Sequence, residues 1–279
     1  MNRINKEIMA KKLGISLSKD GFVKIPQNIT CIKIDVGLSF DAPHAISWLR
    51  ENDNLFVIGF EPLIENIEIL KESLRKQDNS RLIERFLIVQ CALSSSSGPK
   101  EIFVTSDKGQ SSLLEPEFYK VESRRIVETE TLDNFINLVN FEVFEKIDYI
   151  KTDCQGFDLE VMKGAVNVLK KTVVVTCEAE SINYRGANNS FALLEKFFNQ
   201  IGFEYINRVS MKSRFIRRIF APIFNYLGSR SNLYIKFVGR NNDKPLISGS
   251  SLISVDPTFV NSKFKNLVTS NEVSSHQFN

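Results

Sequence analysis

The chain lacks what several protein classes require. It has two histidines, His44 and His276, and four cysteines, Cys31, Cys91, Cys154 and Cys177, with no C-x-x-C pair among them. That spacing excludes a zinc ligand set, and the cysteines read as small buried hydrophobes in a reducing compartment. No apolar run approaches the roughly 20 residues needed to cross a bilayer. The first residues, MNRINKEIMAKKLGISLSKDG, are basic but lack the apolar stretch of a secretory signal. A cytoplasmic location is expected. Neither sign of charge dominates, with 36 Lys+Arg against 33 Asp+Glu, which argues against a dedicated nucleic-acid partner. Internal repeats are absent.

What remains is a globular chain of one or two domains. Its 279 residues are 43% hydrophobic and 25% charged, and that balance excludes wholesale disorder. Residues 1–30 form a polar lead-in with a short helix near Lys6–Leu13. Five short runs rich in Val and Ile follow: Cys31–Val36, Leu55–Phe60, Phe86–Ala92, Ile147–Thr152 and Thr172–Cys177. They alternate only weakly, as strands covered on both faces do. Helical stripes lie between them over Pro43–Glu51, Leu63–Gln77 (Ile64, Ile67, Leu70, Leu74), Gly156–Lys171 and Asn188–Ile201. This alternation predicts an α/β fold with a parallel sheet and right-handed crossovers. Lys100–Glu130 breaks the rhythm with a strand-like EIFVT and a polar Gly/Ser stretch. Two late runs, Phe203–Asn207 and Leu233–Val238, predict an antiparallel end to the sheet. The main domain is therefore placed at 31–240. The Ser- and Asn-rich 241–279 is expected to be an appendage, partly disordered.

Open α/β sheets bind ligands at the carboxyl ends of their strands. The residues there are Asp35-Val36-Gly37-Leu38-Ser39, Glu61-Pro62, Ala92-Leu93-Ser94, Asp153 with Gln155-Gly156, and Glu178. Gly37 lets the backbone approach a ligand closely. Glu61 stands 26 residues after Asp35, about the offset at which a Rossmann-like unit offers a carboxylate to a ribose diol. The G-x-G-x-x-G fingerprint is missing, so nothing cradles a pyrophosphate. A nucleoside without phosphates fits better than a nicotinamide dinucleotide. For Asp35 and Glu61, helix capping or ion pairing remains an alternative.

The order IDVG, GFEP, CALSSSSG, TETLDNF and DYIKTDCQGFDLEVMKGA resembles the FkbM-type methyltransferases over roughly residues 32–178. That resemblance implies a Rossmann-like class I methyltransferase fold, a mostly parallel seven-stranded sheet with an antiparallel last strand, and S-adenosylmethionine as cofactor. It implies Asp35, Gly37 and Ser39 at the methionine end, Glu61 on the ribose, and Leu93 and Ser94 bordering the adenine. Asp153 and Gln155 fall in the catalytic motif, with Asp153 as base or orienting acceptor. Two departures stand out. The first motif usually runs Asp-x-Gly-Ala-Asn-x-Gly, and here Ser39 replaces the asparagine and Asp41 the second glycine. Gln155 replaces a glutamate, and an amide orients a hydroxyl without deprotonating it. The implied reaction is methylation of a hydroxyl on a sugar, glycan or secondary metabolite. Ser111 and Ser112, which follow a glycine in the polar insertion, offer hydrogen bonds to such an acceptor, with a solvated loop as the alternative. A non-catalytic ligand- or glycan-binding module that keeps the fold is the alternative.

From Tyr205 to Asn242 the chain has no Asp or Glu and eight Arg or Lys. Within it, Phe215–Leu227 reads as a basic amphipathic helix, part of an insertion at about 208–231. Its apolar stripe suits core packing, and its basic face, with Arg217 and Arg218, suits an anionic acceptor or a weak peripheral contact with a membrane surface.

Overall fold

Alternation along the strands decides the architecture. In β2 (Leu55–Phe60), Phe56, Ile58 and Phe60 enter one hydrophobic cluster and Leu55 and Val57 another. β1 (Cys31–Val36) sends Ile32, Ile34 and Val36 into the first cluster. Both faces of these strands must therefore be covered, and helices cover both. The computed structural model describes residues 1–76, 79–140, 144–179, 183–206 and 256–268. On one face lie α1 (Arg3–Lys12), α5 (Leu132–Phe135), α6 (Asp158–Lys163), α7 (Val166–Leu169) and α8 (Phe191–Gln200). On the other lie α2 (Pro43–Glu51), α3 (Ile64–Lys76) and α4 (Ser80–Ile83). Of the stripe on α3, Ile67, Leu70 and Leu74 are buried, while Ile64 faces solvent at the first turn.

The remaining strands are β3 (Phe86–Val89), β4 (Ala92–Leu93), β5 (Gly98–Thr105), β6 (Val121–Glu130), β7 (Ile147–Thr152), β8 (Thr172–Cys177), β9 (Phe203–Tyr205) and β10 (Thr258–Asn261). The main sheet has seven strands in the order β3-β2-β1-β7-β8-β10-β9. β3, β2, β1, β7 and β8 run parallel, and β10 is antiparallel to both its neighbours. The strand order reverses between β1 and β7, which opens a crevice at their carboxyl ends. The break in rhythm at Lys100–Glu130 is a β5–β6 hairpin, which joins β4 in a separate three-stranded sheet.

Two expectations are corrected. The stretch 241–279, read as an appendage, supplies β10 to the main sheet and Ser262–Leu267 as a 3₁₀ turn beyond it. Phe259 is fully buried and stacks on Phe198 with ring centroids 4.3 Å apart. Asn261 anchors the strand by donating to the carbonyls of Leu169 and Thr172 at 3.2 and 3.0 Å. The single helix expected over Gly156–Lys171 is two. Gly164 caps α6, and the Asp133 carboxylate accepts from the Asn167 and Val168 amides at 3.0 and 2.8 Å, which starts α7 afresh. Leu233–Val238 and the basic Phe215–Leu227 lie outside the described residues. Among those described, no helix is long and apolar enough to cross a membrane.

Candidate active site

Three strand ends meet at the crevice. β1 leads into Gly37, whose φ of +86° turns the chain sharply. A Cβ at this position would sit 2.1 Å from the Asp153 carbonyl oxygen, so only glycine allows the two strand ends to close together. The Asp153 amide donates to the Val36 carbonyl at 3.0 Å and locks the contact. β2 leads into Glu61, and β7 into Asp153 and Gln155.

These residues line a cavity of about 300 Å³. Gly37, Ser39, Glu61, Leu93, Ser111, Ser112, Asp153 and Gln155 all contribute to its wall. Phe60, Ala92, Ile102, Leu113 and Phe157 make much of that wall apolar. Asp35 and Ser94 do not line it. Asp35 is buried behind the Gly37 turn, where its Oδ2 accepts from the Ala45 amide at 3.2 Å, while Oδ1 has no hydrogen-bond partner. Burial pushes Asp35 up to about 6, against the pull of Lys151. Ser94 is buried with its carbonyl oxygen 2.1 Å from where a Cβ of Gly164 would stand, and its amide donates to Glu130. Arg217 and Arg218 lie outside the described residues.

Glu61 is held by its own neighbours. Its Oε1 accepts from the Leu63 amide at 3.0 Å and from Asn66 Nδ2 at 3.1 Å, and its Oε2 accepts from the Ser39 amide at 2.9 Å. A carboxylate offers about four lone-pair directions, so Oε2 keeps one for a ligand hydroxyl. Burial pushes its pKa up, and the three donors oppose that shift.

Asp153 lines the same cavity and is engaged at both oxygens. Lys151 Nζ is 3.2 Å from Oδ2, and Gln155 Nε2 donates to Oδ1 at 2.7 Å. Burial raises its pKa, but Lys151 outweighs this together with hydrogen bonds from Glu178, Lys151 and Gln155, and the carboxyl sits below its ordinary range. Its side chain nonetheless keeps 38% of its surface accessible, toward the cavity. His44, half-buried in the first turn of α2, is pushed down to about 4, first by burial and then by the Lys151 charge. Asp158, also in the motif, points away from the cavity. It is fully buried and accepts from Asn189 Nδ2 at 3.1 Å and from the Cys154 amide at 3.3 Å.

The sequence reading missed Tyr184 and Gln110. The buried Tyr184 hydroxyl reaches Gln155 Oε1 at 2.8 Å and Gln110 at 3.0 Å. Ser112 Oγ donates to the Gln155 carbonyl at 2.8 Å. Among the cavity's described lining residues, Glu61 and Asp153 carry charge and no Lys or Arg is present. A phosphate finds no cation among these lining residues, whereas a cationic ligand gains from the carboxylates, chiefly Glu61 because Asp153 is already paired with Lys151.

The parallel sheet with its reversed order at β1/β7, its antiparallel end and this carboxylate-lined crevice define a Rossmann-like methyltransferase fold. The chain belongs to the FkbM methyltransferase family: the model of the methyltransferase FkbM domain matches residues 22–205. Comparison with curated protein sequences finds no match. Among solved structures, the chain is similar to methyltransferase FkbM from Methylobacillus flagellatus KT, at 15% identity and a TM-score of 0.40, over 65% of this chain and 41% of that one. It is similar to StiE O-MT residues 942–1257 at 11% identity and a TM-score of 0.37, over 74% of this chain and 58% of that one. The N-terminal domain of human METTL16 in complex with SAH aligns at 10% identity and a TM-score of 0.36, over 73% of this chain and 74% of that one. The chain thus spans under two thirds of the length of the first two.

Proposed function

We propose that this protein is an S-adenosylmethionine-dependent methyltransferase acting on a hydroxyl of a small molecule or glycan. The observation that carries the reading is the cavity, lined by the carboxylates of Glu61 and Asp153 with no Lys or Arg among its described lining residues. The residues fit the cofactor. Glu61 would take a ribose hydroxyl on the free lone pair of Oε2, the Gly37–Ser39 turn would face the methionine end, and Phe60, Ala92 and Leu93 would flank the adenine. When bound, the cofactor supplies a methyl group already activated on sulfonium sulfur.

The protein's part is then to hold and orient. Placing two reactants in a near-attack geometry is the largest lever for such a transfer. Asp153, kept ionised below the usual carboxylate range by Lys151 and its hydrogen bonds, is a weak base but a good acceptor. It would align the acceptor hydroxyl by accepting its hydrogen bond and take the proton released as the oxygen gains the methyl group. Gln155 cannot accept that proton; it holds Asp153. Ser111 and Ser112 stand on the polar loop over the cavity, where Ser112 Oγ is committed to Gln155 and Leu114. Ser111 Oγ accepts from the Thr105 amide at 3.2 Å and keeps its own proton to donate, so it is the better placed of the two for an acceptor contact. Arg217 and Arg218, in a stretch without acidic residues, would attract an anionic acceptor.

Calorimetry with S-adenosylmethionine tests the cofactor assignment. A folded sample that does not bind at millimolar cofactor refutes it, and one that binds glycan while ignoring the cofactor supports a non-catalytic module instead. Transfer of a labelled methyl group to a panel of hydroxylated acceptors, lost in Asp153→Asn, tests the reaction.

A further inference from the structure

Gln155 is a junction. Its φ of +54° is left-handed, unusual for a non-glycine residue, and three different elements hold it there. Its Nε2 donates to Asp153 Oδ1 at 2.7 Å, its carbonyl accepts from Ser112 Oγ at 2.8 Å, and its Oε1 lies 2.8 Å from the Tyr184 hydroxyl. Tyr184 itself is fixed. It is 1% exposed, it bridges to Pro116, and the flanking backbone pairs Glu117 with Asn183 and Arg185 with Glu115. Arg185 adds ion pairs to Glu115 and Glu117 at 2.8 and 3.1 Å.

The direction of each bond follows from donor and acceptor chemistry. Ionised Asp153 can only accept, so the Gln155 amide turns its nitrogen toward Asp153. Its oxygen is thereby turned toward Tyr184 and, at 2.8 Å, is the nearest acceptor to the one phenolic proton, ahead of the Gln110 carbonyl at 3.1 Å. Gln110, 3.0 Å from the same hydroxyl, exchanges its oxygen and nitrogen by a half turn of its amide and can then donate to the Tyr184 oxygen. The bonds form a chain that runs from the loop over the cavity to the acceptor-facing carboxylate, with each bond polarising the next.

We propose that Tyr184 is a positioning residue that acts through the Gln155 amide to hold Asp153 in place for the acceptor hydroxyl. Gln155 is where this chain departs from its family's usual glutamate. An amide has a donor end for Asp153 and an acceptor end for Tyr184, so it can couple the two without adding a negative charge. The proposal rests on the proposed role of Asp153, but its test needs neither cofactor nor acceptor.

The test is a carbon-13 NMR titration of aspartate-labelled protein, with the Asp153 carboxyl assigned by its loss in Asp153→Asn. The titratable groups around Asp153 are Lys151, Asp35, Glu178, Asp158 and Asp256, together with His44 and the Cys154 thiol. None is altered by changes at 184 or 155. In Tyr184→Phe the freed amide swings, and the Asp153 midpoint should rise by about half a pH unit, the effect of weakening one hydrogen bond to the charged form. Ser112→Ala removes a bond to the Gln155 carbonyl but not to its amide, so it should leave the midpoint in place while speeding amide hydrogen exchange over residues 106–113. An unchanged midpoint in folded Tyr184→Phe overturns the proposal, as does an equal rise in Ser112→Ala, which would mean general loosening. If Tyr184→Phe does not fold, wild-type protein carrying 3-fluorotyrosine replaces it: the more acidic phenol polarises the Gln155 amide more strongly, so the Asp153 midpoint should fall, and a midpoint equal to that of the unlabelled protein overturns the proposal. Failure of this titration leaves cofactor binding by calorimetry unaffected, so the two readings fall separately.

Discussion

Replacing Gly37 by alanine tests the contact on which the site is built. Two effects combine there. At φ +86° an L side chain costs about 1–2 kcal/mol. The new Cβ would also stand 2.1 Å from the Asp153 carbonyl oxygen, a backbone atom that cannot rotate away. The ends of β1 and β7 must part by roughly an ångström, which costs about 1–3 kcal/mol as overpacking and about 1 kcal/mol for the strained Asp153–Val36 hydrogen bond. Gly202 supplies the control. It has the same φ of +86° with nothing within 4 Å of the added Cβ. Gly202→Ala should therefore cost about 1–2 kcal/mol and Gly37→Ala about 3–6 kcal/mol. Urea denaturation followed by the fluorescence of Trp48, the sole tryptophan, measures both, since that side chain is buried edge-on to Tyr149. Gly37→Ala should also lose cofactor binding in calorimetry while Gly202→Ala keeps it. Equal destabilisation by the two variants, within about 0.5 kcal/mol, would refute the packing of Gly37 on Asp153.

Lys33 is buried beside Trp48 and Tyr149, and burial lowers its pKa from 10.5 to about 8, with Glu51 and Asp148 opposing. The unfolded chain therefore holds this proton when the folded chain has released it. Stability from this group rises between pH 8 and 10.5, and the penalty is full below pH 8. Lys33→Met should be about 2–3 kcal/mol more stable than wild type near pH 7, with the gap closing toward pH 10 in urea titrations. Glu61→Gln should weaken cofactor binding by about 1–3 kcal/mol in calorimetry, because the amide loses the charge and turns an N–H toward the Ser39 or Leu63 amide. Asn261→Ala should cost about 2–3 kcal/mol by leaving the buried Leu169 and Thr172 carbonyls unpaired. Loss of the cooperative transition on removal of residues 256–279 would show the same strand to be integral. Arg217→Glu with Arg218→Glu should raise the KM for an anionic acceptor, less so at high salt, and leave cofactor affinity unchanged.

Much of the fold is legible in the chain itself, because local chemistry dictates it. Runs such as LFVIGF and TVVVTC are apolar on both faces, so they must be sheet interior, and the stripes between them must cover that sheet. The position of Glu61, Gly37 and Asp153 follows from the same pattern, since each directly ends a strand and parallel strands bring their carboxyl ends to one edge. What the chain cannot announce is pairing across long separations. TFVN is four residues in a polar context, and only the gap between β8 and β9, with Phe198 waiting for Phe259, makes it a strand. The split between α6 and α7 depends on Asp133, more than thirty residues away. Asp35 stands near the end of β1 and Ser94 follows β4, yet their side chains turn into the protein, because a strand end fixes where the backbone arrives and not which wall its side chain joins. Tyr184 lies in a turn with no motif and meets Gln155 across 29 residues. A hydrogen bond is specified by distance and angle in space, and only the packed tertiary structure sets those.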